Sequence, residues 1–301
     1  MTTIHVFPGQ GSQRLGMGSH LFDQYPNLVR QADAVLGYSV AELCREGPPE
    51  RLADTRYTQC AMYVVGALSY VDVVRTGRVV PDVVAGHSLG EYVALFAAGV
   101  VDFVTGLELV AERAALMADA GPGAMVAVMG LGEPELRELL ASHGSGTVDV
   151  ANINAPDQIV VSGPAAAVRE LTPELSRRAT AVVPLPVSGA FHSRHMATAA
   201  ERFRRFLDGY LLARLRIPVV ANVTAAPHRD GAVAELLARQ LTEPVRWRET
   251  VEYLLDQPDP EIHEIGPGTV LTGLLRRVRN GRTPTPPTGS TTQQTIDVLH
   301  R

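Results

Sequence analysis

A chain of 301 residues, 46% hydrophobic and 20% charged, can bury one large core or two modest ones, and its formal charge of −5 gives no electrostatic reason to bind nucleic acid. All 27 basic residues are arginine, which excludes Schiff-base and pyridoxal-phosphate chemistry and the phosphate-binding P-loop, because each needs a lysine. Cys44 and Cys60 lack metal-site or redox spacing, no apolar run is long enough to span a membrane, and no signal sequence precedes the first strand, so a cytoplasmic protein with no metal, no redox cofactor and no membrane partner is expected.

Ile4 to Phe7 reads as a short apolar strand that breaks at Pro8-Gly9-Gln10-Gly11-Ser12-Gln13. This loop fits neither the dinucleotide nor the P-loop fingerprint; its alternative use is to hold Gln10 and a flexible backbone against an active site. Leu21 to Leu43 is mostly helical with a break at Gly37, and Gly47-Pro48-Pro49 is a turn. Gln59 to Val74 is small and apolar nearly all round, the pattern of a helix buried against a sheet. Val79 to Ala85 is apolar and β-branched and predicts a buried strand. Gly86-His87-Ser88-Leu89-Gly90 follows, and Glu91 to Ala98 reads as a helix. Strand, G-x-S-x-G turn and helix are the context of a nucleophile elbow. The two glycines let the chain turn sharply, so that Ser88 is exposed at the positive end of a helix dipole. The backbone N–H of Leu89 then faces a developing oxyanion, while the side chain of His87 is expected to point away from the serine.

Asp102 is a good N-cap for a helix running to about Ala118, with Leu107, Val110, Ala114 and Met117 as its buried stripe and Arg113 off that stripe. After Gly121-Pro122-Gly123 the pattern changes. Ala124–Met129, Val148–Asn152, Gln158–Ser162 and Ala181–Val187 read as strands. Glu133–His143 and Ala165–Arg178 read as helices, the second interrupted near Pro173. The order β-α-β-β-α-β is the ferredoxin-like pattern. It predicts a subdomain at about 124–188 inserted into a larger domain formed by 1–123 and 189–280. The link back carries Gly189-Ala190-Phe191-His192. Helix is expected from Ser193 to Leu211, around Ala232–Leu241 and Arg248–Leu255, and over Val270–Arg279. Strands are expected at Ile217–Asn222 and Glu261–Ile265. Residues 281–301 have no apolar periodicity and read as a flexible tail.

An activated serine needs a base, and the chain has nine histidines. His5, His20, His143 and His300 read as surface or terminal residues, which leaves His192, His195, His228 and His263. The Ser…Asp…His order of α/β-hydrolases favours His263. Spacing alone does not choose between His263 and His192.

Several further stretches occur in a fixed order. They are Phe7 to Gln13, the elbow continuing into Glu91-Tyr92, and Val110-Ala111-Glu112-Arg113-Ala114-Ala115-Leu116-Met117. Then come Ala190-Phe191-His192-Ser193, Glu243-Pro244-Val245-Arg246-Trp247 and Glu264-Ile265-Gly266-Pro267-Gly268. Together they resemble the malonyl-CoA:acyl-carrier-protein transacylases and the acyltransferases of polyketide synthases, over about residues 4–280. Leu36-Gly37-Tyr38-Ser39, Tyr57-Thr58-Gln59 and Val187 to Arg194 look most like the free-standing acyltransferases that serve synthases lacking their own. The fatty-acid enzyme is the runner-up for pathway.

The resemblance implies an α/β fold, with an α/β-hydrolase-like large domain around a parallel sheet and the ferredoxin-like insert as the other wall of a cleft. It implies Ser88 as the acyl-accepting nucleophile and His192, not His263, as its base. A backbone carbonyl, here that of Gln240, orients the histidine. The N–H groups of Gln10 and Leu89 form the oxyanion hole. Arg113 pairs with the free carboxylate of a malonyl group, and Phe191 and His87 complete the substrate-binding set. The family usually has Arg-Gly where this chain has Arg113-Ala114. The expected partners are malonyl-CoA and an acyl carrier protein met in trans, with the enzyme a monomer. Carrier proteins of this kind are acidic, so Arg202, Arg204 and Arg205, or Arg276, Arg277 and Arg279, are candidate docking faces. The rivals are an acyl hydrolase in the same fold that edits carrier-bound groups, and a docking module with no catalysis.

Overall fold

The first apolar run forms β1 (Thr2–Phe7), an inner strand of a parallel sheet in the computed structural model, which describes residues 1–77, 79–143 and 146–282. The helices α1 (Ser19–Gln24), α2 (Pro26–Leu36), α3 (Val40–Glu46) and α4 (Pro49–Ala53) follow, with Gly37 ending α2 in a left-handed conformation. In α5 (Thr55–Gly77), nearly every side chain from Thr55 to Leu68 is buried, as its lack of a polar face predicts. Cys44 and Cys60 are buried free thiols, pushed up to about 12 by burial.

Strand β2 (Val83–Gly86) is shorter than expected: Val79 and Val80 are exposed, and Pro81 has no N–H to give a ladder. It pairs in parallel with β1, bringing Phe7 opposite Gly86. The chain turns into α6 (Gly90–Ala97) and then α7 (Phe103–Ala118), where Asp102 accepts a hydrogen bond from the Thr105 N–H at 2.7 Å. The predicted stripe of α7 is buried, Ala114 included. Helices α5 and α7 cross closely, because a Cβ at Gly106 would lie 2.0 Å from the Tyr63 hydroxyl.

The second sheet contains β3 (Ala124–Met129), β4 (Asp149–Ala155), β5 (Gln158–Gly163) and β6 (Ala181–Pro184), with α8 (Glu133–Ser142) and α9 (Ala165–Arg178) as its helices. Its pairings are antiparallel and its order is β4-β5-β3-β6, the ferredoxin-like arrangement. Pro173 does not interrupt α9. Val168, Leu171 and Leu175 stay buried in one stripe, which holds both halves of the helix in register despite the missing N–H.

A 3-10 turn (Arg194–Met196) leads into α10 (Ala197–Leu207), which ends before the expected Leu211. The fold closes with β7 (Val219–Val220), α11 (Val233–Arg239), α12 (Trp247–Leu255), β8 (Pro260–Glu264) and α13 (Val270–Gly281). The parallel sheet has the order β7-β2-β1-β8. Gly281 still belongs to α13, and residues 283–301, the rest of the expected tail, lie outside the described residues. The two sheets are joined through backbone: the Ile153 N–H donates to Val245 O and the Val245 N–H to Ala151 O, both at 2.9 Å. Among the described residues, no helix is long and apolar enough to cross a membrane.

Candidate active site

Ser88 sits where β2 turns into α6, with φ of 51°. Such a left-handed serine is strained and is kept because its surroundings leave no alternative. A Cβ at Gly86 would lie 1.9 Å from Gly90 C, and one at Gly90 would lie 2.0 Å from Phe7 O. Only glycine fits either place, so the sequence enforces the tight turn. The Pro8–Gln13 loop lies directly on it, with a Cβ at Gly9 placed 2.4 Å from His87 O. The Gln10 and Leu89 N–H groups donate to no acceptor among the described residues, and both residues line the cleft above Ser88.

The structure brings His192, not His263, to this serine. His192 lies in the link after β6, also left-handed with φ of 55°. Its Nε2 is 2.8 Å from Ser88 Oγ, and its Nδ1 is 2.7 Å from Gln240 O. A carbonyl only accepts, so Nδ1 carries the proton and Nε2 offers a lone pair to the serine hydroxyl. Burial, and then the charge of Arg113, pulls the imidazole down to about 3. The ring is therefore neutral at ordinary pH, as a base must be.

Arg113 is fully buried, although its place off the apolar stripe of α7 suggested otherwise. Its Nη2 donates to Ser88 Oγ at 3.0 Å and to Gln240 Oε1 at 2.9 Å, and its Nη1 donates to Gln59 Oε1. Its guanidinium carbon lies 5.4 Å from the centre of the Tyr92 ring. Among the described residues it pairs with no carboxylate.

The cleft encloses about 80 Å³ between the sheets. Met117, Met125, Leu185, Val187 and Phe191 form its apolar side, and Gln10, Gln59, His87 and Arg113 its polar side. The His87 ring bonds Asn154 Oδ1 at 2.8 Å, with its centre 5.4 Å from that of Trp247. It thereby ties the elbow to β4. His263 is half exposed on β8, beside Glu261. His5 is not a surface residue as expected; it is buried in β1, and burial, then His263, pulls it down to about 4. His195 bonds Thr147 O and His228 bonds Glu91, so neither is free to act on Ser88. His300 lies outside the described residues.

Three site residues escaped the sequence reading as participants: Gln59, Glu91 and Asn222. Asn222 Oδ1 accepts from the Ser88 N–H at 2.7 Å, and its Nδ2 donates to Gly86 O at 2.6 Å. The available signal was polarity without an outlet. Gln59 lies in a stretch of α5, Thr58 to Leu68, that is buried all round, and Glu91 opens a helix that is otherwise apolar.

The arginines expected to dock a partner are all exposed. Arg205 pairs with Glu201 on its own helix, Arg204 with Asp208 at the C-terminal end of that helix, and Arg277 with Asp157.

A parallel sheet bearing a serine elbow, with an antiparallel sheet and the link that follows it lining the cleft above, is the architecture of an acyltransferase, and this enzyme is one. The chain belongs to the acyl transferase domain family, whose model matches residues 4–284. It is 47% identical over 278 residues to the polyketide biosynthesis malonyl CoA-acyl carrier protein transacylase BaeC of Bacillus velezensis, covering 92% of this chain and 96% of that one. A malonyl CoA-acyl carrier protein transacylase of Burkholderia pseudomallei superposes with a TM-score of 0.91 at 44% identity, covering 95% of this chain and all of that one. A malonyl transacylase solved in complex with a type II polyketide synthase acyl carrier protein superposes with a TM-score of 0.89 at 37% identity, covering 93% and 94%.

Proposed function

We propose that the enzyme moves a malonyl group from malonyl-CoA to the phosphopantetheine thiol of an acyl carrier protein, in trans, for a polyketide synthase. The observation that carries this reading is the buried Arg113 guanidinium, which touches Ser88 Oγ and has no carboxylate to pair with among the described residues. Burying an unpaired cation is costly unless a ligand completes it. A planar guanidinium beside the nucleophile suits an acyl chain that ends in a carboxylate.

Ser88 Oγ attacks the thioester carbonyl as His192 Nε2 takes its proton. The Gln10 and Leu89 N–H groups receive the oxyanion, and CoA leaves as the thiol after His192 returns the proton to sulfur. The carrier thiol then repeats the sequence in reverse on malonyl-Ser88. Gln240 O keeps the imidazole in the required tautomer throughout. Every acid–base step runs on side chains of this chain. The enzyme works as a cytoplasmic monomer, with 124–188 forming one wall of its cleft and an arginine face receiving the acidic carrier.

Intact-mass measurement after malonyl-CoA, and then after a holo carrier protein, tests the reading. A malonyl-sized gain that passes to the carrier is expected. Release of the gain as free malonate with no carrier acylation makes the enzyme an editing hydrolase instead. Comparing a polyketide-synthase carrier with a fatty-acid carrier tests the pathway, and a clear kcat/KM preference for the latter overturns it.

Phe191 sets a second limit. It is buried beside His192 on the cleft wall, where its ring meets a branch at C2 of the acyl group. One methyl is worth about 1–3 kcal/mol, so malonyl-CoA is preferred over methylmalonyl-CoA by about ten- to a hundredfold in kcat/KM. Equal values for the two thioesters remove Phe191 from selection.

A further inference from the structure

Glu91 follows the elbow directly and is 1% exposed. Every polar group that meets its carboxylate is a donor or can be one. His228 Nε2 lies 2.7 Å from Oε1, and Gln240 Nε2 lies 2.6 Å from Oε2. The Asn222 N–H reaches Oε2 at 3.3 Å. None of these atoms touches the reacting hydroxyl.

The consequence lies in Gln240. Its side-chain amide group donates to Glu91 and also to Ser88 O at 3.0 Å. That leaves Oε1 to accept from Arg113 Nη2. An amide turned the other way would set its NH₂ against the guanidinium and its oxygen against the carboxylate. Both contacts would be repulsive, so the orientation has one solution. The same residue holds His192 through its backbone carbonyl.

We infer that Glu91 is a positioning residue for acyl-group selection. Through the Gln240 amide, it fixes the guanidinium of Arg113 at the spot where a substrate carboxylate docks. Glu91 acts on which acyl group is accepted, not on the attack by Ser88. The inference rests on the reading of Arg113 as the carboxylate receptor.

The test compares wild type with Glu91→Gln, which keeps the shape and removes the charge. Three quantities are measured: kcat/KM for malonyl-CoA, kcat/KM for acetyl-CoA, and the rate of Ser88 labelling by an uncharged fluorophosphonate. The expected result is a fall of about tenfold or more in malonyl kcat/KM, mainly through KM, with labelling within about threefold of wild type and the malonyl-to-acetyl ratio reduced. Gln240→Leu keeps the backbone carbonyl and should reproduce the loss of selectivity, and the double variant should be no worse than the more impaired single. A parallel fall in malonyl transfer and labelling would mean that Glu91 only supports the elbow, and overturns the inference. So does an unchanged malonyl preference, or an additive double variant. Where Glu91→Gln fails to fold, Gln240→Leu decides alone, since wild-type preference in that variant also overturns the inference. Arg113→Ala run in parallel separates the two levels. If it keeps the malonyl preference, the receptor reading itself is wrong; if it loses the preference and Glu91→Gln does not, only the role of Glu91 is.

Discussion

Substituting Ser88 by Ala removes the malonyl mass gain altogether, and His192→Ala slows both half-reactions by a factor on the order of hundreds to ten thousand. Among the described residues the serine hydroxyl has one acceptor placed to take its proton, His192 Nε2 at 2.8 Å, and none of the others substitutes for it. His263→Ala leaves the rates near wild type because that ring is half exposed on β8. Acylation at another residue, or greater damage from His263→Ala, ends the mechanism. The pH profile carries a second check. The His192 imidazole is held at about 3, below its ordinary 6.5, so the free enzyme stays in its base form as pH falls through 6.5. The acid limb of kcat/KM therefore lies well below pH 6, where a solvated histidine would place it above. The same shift works against the fold. Unfolded His192 binds a proton below about 6.5 and the folded ring does not, so its contribution to stability is present above that pH and is lost on acidification toward 3. A profile with its acid limb at 6.5 shows the ring to be solvated in the working enzyme.

Arg113→Ala is expected to lower kcat/KM for malonyl-CoA by a factor of about a hundred to a thousand, the scale of about 3–4 kcal/mol for a buried charge pair left without one member. The same change relieves the burial of a cation and leaves room for an uncharged acyl group. Acetyl transfer should therefore fall less, or rise. The loss also removes the second-largest cause of the low His192 pKa, so the acid limb measured with acetyl-CoA moves upward in this variant. Wild-type preference for malonyl, or an unmoved acid limb, takes Arg113 out of the site.

What the sequence revealed follows the range of the interactions involved. The elbow was legible because Gly86, Gly90 and the β-branched run before them act within a few residues of Ser88. The stripe of α7 and the alternation of the second sheet are local in the same sense. The missing length of β2 turned on Val79 and Val80, whose β-branched side chains suit a strand whether or not a partner lies beside them. Pro173 was read as an interruption from its own chemistry, and the packing of Val168, Leu171 and Leu175 overrode it. The site divided along the same line. Resemblance pointed to His192, but periodicity could not separate it from His263, because their distances to Ser88 depend on the whole sheet. Asn222 reaches the elbow from a distant part of the chain and Gln59 reaches Arg113 from inside α5, while the partners of Glu91, His228 and Gln240, lie far along the chain, and no spacing rule connects these groups.

The group behind His192 is a carbonyl, and this has an electrostatic consequence. When the imidazole takes the serine proton, no carboxylate among the described residues lies beside it to balance the new charge. The proton that His192 gains is the one that Ser88 loses, and the matching negative charge appears on the oxyanion, so the attack separates charge without changing the total. Arg113 stands close enough to oppose a cation on His192. In the proposed reaction a malonyl carboxylate paired with Arg113 offsets that opposition, and an acetyl group does not. The substrate thus carries the counterion that the fold omits, and the imidazolium is favoured at the moment of attack by an acyl chain of the right charge.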